Sequence, residues 1–296
     1  MERPSAKDLI KGFESGGVKG KKLHVLIVYA HQEPKSFNGA LKDVAVEVLR
    51  ELGHTVEISD LYAQNFNPLC TRNDIKGELL NPNHFNYSQE TQNTYKNSTL
   101  PEDIVSEQEK LNRADLVIFQ FPMYWMSFPA ILKGWFDRVF TLGYAFTLEA
   151  MCDEGLLKGK RAMLSFTTGG RETEFTATGI RGDMEVILWP IQCGLLHFCG
   201  LEVLAPNIVY CPDCLDQSQR EAVLQEWATR LRHIIQEKPL DFIPVDCFSA
   251  SKGFQLSDEF LQSKRATGDV APTVGQHMGK RFAVGSMIPQ RLNTKD

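Results

Sequence analysis

Three separated segments of the chain hold residue types suited to a phosphate-bearing aromatic cofactor: His31-Gln32-Glu33-Pro34-Lys35-Ser36-Phe37-Asn38, Pro122-Met123-Tyr124-Trp125-Met126 and Thr167-Thr168-Gly169-Gly170. Each follows an apolar, strand-like run. The first opens a helical pattern, so its backbone N–H groups and positive dipole end suit a phosphate, with Ser36, Asn38 and Lys35 adding donors and charge. The competing reading is that Ser36 and Asn38 only cap the helix. The second offers two aromatic rings and thioethers, a flat apolar wall for a tricyclic ring, or else aromatic core beneath a loop. The third has two hydroxyls and two glycines that let backbone donors approach a ligand edge, or it is a plain strand-to-loop turn. Their shared position at strand ends points to a flavin. Reduction places negative charge on one edge of that ring, and donors for it are the backbone at Gly169 and Gly170 together with Arg171 and Arg181. No G-x-G-x-x-G dinucleotide fingerprint is present.

These segments need a sheet to bring them together. Leu23–Tyr29 reads as a buried parallel strand, and Leu41, Val44, Ala45, Val48, Leu49 and Leu52 recur at helical spacing over 38–52, closed by Gly53. Strands follow at 55–59, 116–121, 161–167 and within 201–210, with helices at 129–140, 184–198 and 219–236. Five strands alternating with helices predict an α/β doubly wound five-stranded parallel sheet of flavodoxin-like order 2-1-3-4-5. Its switch point lies between the first and third strands, where two of the three segments fall. The polar stretch 61–112 reads as mostly surface loops with short helices. The domain plan is an N-terminal tail over 1–20, a core over 21–240 and a small appended C-terminal region over 241–296.

A chain of 296 residues with 43% apolar content can bury one large core, or a core plus a small second domain. The formal net charge of −5 gives no general attraction to nucleic acid or anionic lipid, so a small molecule is the expected partner. No apolar stretch approaches a membrane span and the first twenty residues lack a hydrophobic signal core, which predicts a cytoplasmic protein. The seven cysteines then read mostly as reduced thiols. Cys211-Pro212-Asp213-Cys214 has redox or metal spacing, but zinc needs about two further ligands, and the pair reads as ordinary loop cysteines.

On these residues the chain resembles the FAD-dependent NAD(P)H:quinone reductases, the DT-diaphorase family. The resemblance is carried by the 31–38 segment, Pro-Ala-Ile-Leu-Lys-Gly-Trp-Phe-Asp-Arg-Val at 129–139, Thr-Thr-Gly-Gly at 167–170, Leu-Trp-Pro-Ile-Gln at 188–192 and Leu-His-Phe-Cys-Gly at 196–200. It implies a flavodoxin-like homodimer with active sites at the subunit interface. The implied reaction is ping-pong: hydride passes from a reduced nicotinamide to FAD and then to a quinone. By position, the family's FAD contacts fall on His31, Ser36, Phe37, Asn38, Ala40, Pro122, Met123, Tyr124, Trp125, Thr167, Thr168, Gly169 and Gly170, with Asn67, Arg220 and Leu224 on the adenosine side. Substrate-pocket positions fall on Trp125, Met126, Phe146, Leu148, Gly169, Gly170, Phe175, Arg181, Phe198 and Phe248, some supplied by the partner subunit. The catalytic positions are Gly169, Gly170, Phe175 and Arg181.

The chain departs from the family pattern at several of these. The NAD(P)H-using branch has a Tyr and a His in the fourth loop as a charge relay, where this chain has Phe175 and Arg181. Phenylalanine donates no hydrogen bond, and arginine holds charge without shuttling a proton. Phe146 and Leu148 resemble the sister branch, which takes dihydronicotinamide riboside. The tail from Phe254, with Val-Gly-Gln-His-Met-Gly-Lys at 274–280, resembles the NAD(P)H branch instead. The expected reductant is therefore NAD(P)H or dihydronicotinamide riboside, with altered preference. The sister branch's metal site maps to Cys193, His197 and Phe242, one ligand short, with Cys247 as a conceivable substitute; no metal is expected. Two further functions compete: a flavin-loaded binding or stabilising protein with weak catalysis, and a reductase of nitro or azo compounds.

Overall fold

The computed structural model describes residues 21–176 and 178–267, in two units: the first ends at Val245 and the second begins at Asp246. In the first unit, β1 (His24–Tyr29) lies between β2 (Thr55–Asp60) and β3 (Leu116–Pro122), and β3 pairs with β4 (Arg161–Thr168). All these pairings are parallel. Ile27 stands level with Ile58 on one side and Ile118 on the other, and Phe119 with Leu164, so the central strands are apolar on both faces. That is why they read as unbroken hydrophobic runs.

The fifth position differs in detail from the single strand expected within 201–210. It is two pieces, β5 (Glu202–Val203) and β6 (Asn207–Tyr210), both paired with β4. Pro206 lies between them and has no N–H to give a ladder.

Helices cover both faces. On one side α1 (Phe37–Glu51) packs Leu41, Val44 and Val48 with Leu224, Trp227 and Leu231 of α6 (Gln217–His233), and the Trp227 indole N–H donates to the Leu41 carbonyl at 3.1 Å. Ser36 caps α1 by accepting from the Gly39 N–H, and Gly53 ends it at φ 82°, a left-handed conformation that favours glycine. On the other side α3 (Glu102–Arg113), α4 (Ala130–Val139) and α5 (Met184–Ile191) bury Leu111, Leu132, Trp135 and Leu188. Each such side chain contributes roughly 1.5–3 kcal/mol on burial.

One expected helix takes a different form. The predicted helix over 184–198 is α-helical only to Ile191; Gln192–Leu196 is a wide turn and His197–Cys199 a tight one, closed by Gly200 at φ 97°. Pro190 cannot donate inside this helix, and the ladder widens just after it. The polar stretch 61–112 is mostly loop with short helices, as expected; its α-helices are α2 (Tyr87–Lys96) and nearly all of α3. Its inward polar groups are satisfied: the buried Glu90 carboxylate accepts from the Leu80 N–H at 3.1 Å, Glu107 from the Trp135 indole at 2.8 Å, and Gln108 donates to the Val139 carbonyl at 2.9 Å. Arg138 of α4 closes this region. It is buried against Asp74, with Nη2 to Oδ1 at 2.6 Å, while the Tyr87 hydroxyl donates to the same carboxylate at 2.7 Å. Burial opposes ionisation of Asp74, but Arg138 and Tyr87 outweigh it and hold the carboxyl below the usual range.

Cys211 and Cys214 are joined in a disulfide with Cα atoms 5.3 Å apart, in contrast to the two loop thiols expected. Cys211 at φ 42° turns the chain back at the end of β6 and brings Cys214 within reach.

The second unit contains an antiparallel pair, β7 (Phe248–Ser249) with β8 (Gln255–Leu256), followed by α7 (Asp258–Thr267). The 274–280 motif lies outside the described residues. Among the described residues no helix is long and apolar enough to cross a membrane.

Candidate functional site

The loops after β1, β3 and β4 meet at the carboxyl edge of the sheet and are tied by buried polar contacts. Asn38, in the first turn of α1, is turned inward rather than capping: its Nδ2 donates to Thr167 Oγ1 at 2.8 Å, and its Oδ1 accepts from Gln120 Nε2 at 2.8 Å. One amide thus joins the start of α1 to the ends of β3 and β4. The Met123 N–H donates to the Thr167 carbonyl at 2.7 Å, and Gln32 Nε2 donates to the Tyr124 hydroxyl at 3.2 Å. Gln120 was not among the residues expected here. The only signal for it is one amide in the otherwise apolar run Leu-Val-Ile-Phe-Gln-Phe.

The first loop is tightly wound around the helix start. A Cβ on Gly39 would lie 2.1 Å from the Pro34 carbonyl oxygen, so only glycine fits. Ser36 and Phe37 are half-buried at this end, Ala40 follows on the helix, and Lys35 is exposed. The His31 Nδ1 accepts from the Glu33 N–H at 3.0 Å; burial pushes the imidazole below its ordinary value, against the opposing pull of Glu33.

The loop after β3 turns sharply beyond Pro122 and Met123. Trp125 and Met126 adopt φ of 51° and 61°, unusual for two consecutive side-chain-bearing residues, within a turn closed by reciprocal Tyr124 and Ser127 backbone bonds. Such strain persists where surrounding structure fixes it, and it concentrates at binding sites. Here it holds Trp125 outward, 97% exposed beside the exposed Tyr124 and Met126.

Beyond β4, a Cβ on Gly169 would meet nothing within 4 Å, whereas one on Gly170 would lie 2.8 Å from both Arg181 Nε and a Phe175 ring carbon. Open space therefore stands over Gly169, and Gly170 packs against the two positions that depart from the family pattern. Phe175 is buried, 5.7 Å from the Tyr210 ring, with the Arg181 guanidinium 5.5 Å from its own ring. Arg181 is not a free cation: its Nε donates to Glu174 Oε2 at 2.8 Å. Bonds from the Arg171 N–H and then from Arg181 hold the Glu174 carboxyl below the usual range. Glu174 and Tyr210 complete this corner and were not expected from the sequence.

The positions expected on the adenosine side lie on the loop after β2 and on α6. Asn67, exposed on the loop after β2, gives its backbone carbonyl to Arg138 at 2.9 Å, and Arg220 Nε donates to the Pro212 carbonyl at 3.2 Å, while Leu224 is buried in the core. Phe146 and Phe198 face each other at 5.6 Å and pack against the core, and Leu148 is 73% exposed. Phe248 belongs to the second unit.

Cys193 and His197 lie on the turns after α5. Burial lifts the Cys193 thiol to about 11 and lowers the His197 imidazole, whose ring stacks on Phe242 at 4.6 Å and whose buried Nε2 has no hydrogen-bond partner. Among the described residues no group of three His, Cys, Asp or Glu is placed to hold a metal ion.

The arrangement fits a flavin on its own terms. It offers a fifteen-residue helix whose N-terminus opens at the edge, an outward aromatic wall and an open glycine shelf beside a guanidinium. Comparison with known proteins places the chain in a family. The family described as a flavodoxin-like fold (Flavodoxin_2) matches residues 23–234. The human ribosyldihydronicotinamide dehydrogenase [quinone] is 54% identical over 221 residues, 75% of this chain and 95% of that protein. The rat NAD(P)H dehydrogenase [quinone] 1 is 47% identical over 268 residues, 90% of this chain and 97% of that protein. A crystal structure of a quinone reductase from Klebsiella pneumoniae, itself assigned only by inference, superposes with a TM-score of 0.77 at 37% identity, over 80% of this chain and 95% of that one. With a parallel sheet in flavodoxin order and likeness across nearly the full length of these relatives, the chain belongs to the flavodoxin-like family of quinone reductases.

Proposed function

We propose that this protein binds FAD and catalyses two-electron reduction of quinones, as a homodimer, with a donor preference set by Phe175 and Arg181. The observation that carries the reading is the single buried chain Gln120–Asn38–Thr167, which locks three cofactor loops into one edge. A bound flavin would supply hydride-transfer chemistry between a reduced nicotinamide and a quinone, the two substrates using the same edge in turn.

The chain's own residues would bind and orient. The N-terminus of α1, with the Ser36 hydroxyl and Lys35, would receive the pyrophosphate. Tyr124, Trp125 and Met126 flank the ring, and the open shelf at Gly169 admits its polar edge. Asn67, Arg220 and Leu224 would hold the adenosine side. At the corner, Phe175 offers no proton and no hydrogen bond. Glu174 pairs with the Arg181 Nε, leaving only the terminal guanidinium nitrogens for a ligand. Charge can be held at this position and a proton cannot be relayed. The exposed Trp125, Ile180 and Leu148 suit burial by a second copy, which would supply Phe146, Leu148 and Phe198 to the opposite site.

The test is stopped-flow bleaching of the FAD-loaded protein by NADH, NADPH and dihydronicotinamide riboside in parallel, with light-scattering mass beside it. The expected result is bleaching by the riboside well ahead of either dinucleotide, from a particle of twice the chain mass. No bleaching by any donor would sink the enzymatic reading and favour a flavin-loaded binding protein. Equal, fast bleaching by all three would show that Phe175 and Arg181 do not set preference.

A further inference from the structure

Cys211 and Cys214 form a disulfide at the rim of the candidate cofactor edge, between two elements that hold it. On one side the Cys211 N–H donates to the Thr168 carbonyl at 2.8 Å, fixing the end of β6 to the last residue of β4. On the other, the Pro212 carbonyl inside the disulfide loop accepts from Arg220 Nε at 3.2 Å, and Asp216 caps α6 just beyond. Cys211 is held at φ 42° and ψ 59°, a conformation a non-glycine residue keeps only under constraint. Cys214 is exposed and Cys211 half-buried, so a reductant can approach the pair from the Cys214 side. Cys70 is an exposed free thiol, and Cys152, Cys193 and Cys199 are also unbridged. A chain with an exposed free thiol fits a reducing setting, where a lone accessible disulfide is usually transient and redox-responsive rather than a structural staple.

We propose that the Cys211–Cys214 pair is a reversible redox site, reduced by dithiols, whose state sets how tightly the neighbouring edge holds its cofactor. The coupling rests on the flavin reading above. The exchange is a two-electron step. A thiolate of the dithiol attacks the exposed Cys214 sulfur, the Cys211–Cys214 bond breaks, and Cys211 leaves as a thiolate that takes up a proton. The dithiol's second sulfur then closes on the mixed disulfide and releases Cys214, so the reagent is oxidised to its own disulfide and the protein gains two thiols. Reduction removes the covalent constraint on Cys211. The Pro212 carbonyl and Arg220 lose their fixed separation, and the loop against Thr168 loosens.

The test uses the full-length protein in buffers of graded reduced and oxidised dithiothreitol. Alkylation and peptide mass spectrometry read the thiols, and quenching of FAD fluorescence reads affinity. The expected result is that Cys211 and Cys214 become alkylated together and reversibly, and that the FAD dissociation constant rises about fivefold on reduction, the scale of one lost ordering hydrogen bond. A C211S/C214S variant should bind like the reduced protein and ignore the buffer. The wild-type titration stands alone if that variant does not fold. A pair that never oxidises, or that cannot be reduced, overturns the redox site. A pair that titrates while affinity stays constant overturns the coupling. Failure of either form to bind FAD overturns the flavin reading and the coupling with it. The alkylation pattern needs no flavin and separates these failures.

Discussion

Asn38→Ala is the substitution that most directly probes how the three loops are held. It removes the bonds to Thr167 Oγ1 and from Gln120 Nε2, both 2.8 Å and both in the interior. Each such bond contributes about 0.5–1.5 kcal/mol net, and stranding the Gln120 amide, 1% exposed, adds roughly 1–3 kcal/mol of uncompensated desolvation. The expected loss is therefore about 2–6 kcal/mol, or roughly 4–24 °C in Tm for a domain of this size. Urea unfolding of the flavin-free protein reads it without interference from ligand. Gln120→Leu should cost less alone, because it leaves an amide oxygen unpaired without creating a void. In the double variant the orphaned donor is gone, so the two losses should fall short of additive by about 1–2 kcal/mol. Affinity for FAD should drop with Asn38→Ala, since three loops lose a common anchor. A loss below about 0.5 kcal/mol, or strict additivity, would refute the claim that this amide joins the loops.

Two further outcomes follow from buried charge. Arg138→Met strands the Asp74 carboxylate and should cost about 3–5 kcal/mol at neutral pH. Wild-type Asp74 has its folded pKa held low, so its contribution is complete above the ordinary carboxylate range and fades as pH falls through the folded value; in the variant the penalty should shrink toward acid, where the stranded group takes up a proton, as denaturation midpoints from pH 3 to 7 will show. His54 accepts the Leu23 N–H on Nδ1 at 3.1 Å, and burial lowers its pKa below the model-compound value of 6.5. A lowered imidazole gives stability that is whole above 6.5 and is lost as pH falls toward the folded value, so His54→Asn should flatten the unfolding midpoint between pH 5 and 7 relative to wild type.

The sheet was readable because β1, β3 and β4 are buried on both faces, and a doubly buried strand leaves an unbroken apolar run in the sequence. The loops were readable for the same reason: each begins where such a run stops. Legibility failed where polar groups take core positions. Glu90, Thr94, Glu107 and Gln108 face inward on α2 and α3, satisfied by backbone amides, carbonyls and an indole, so the helical pattern there lacks its apolar stripe. Gln120 hid in the same way inside a strand. At Arg181 the residue type was informative but its partner was not, since the Glu174 pairing depends on a turn seven residues long that composition does not encode. The Cys211–Cys214 spacing was visible, yet bonding depended on the left-handed turn at Cys211, a conformation no local preference of cysteine announces.

The outward indole of Trp125 has an optical consequence. The chain holds four tryptophans; Trp135 and Trp227 are sealed in the core and Trp189 is half-covered, which leaves Trp125 alone in water. Its emission should lie to the red of the other three and be the part reached by aqueous quenchers such as iodide. A chromophore laid against that ring would extinguish the red component first and shield it from iodide. The intrinsic fluorescence of the unlabelled protein thus contains a position-specific gauge of occupancy at the sheet's carboxyl edge.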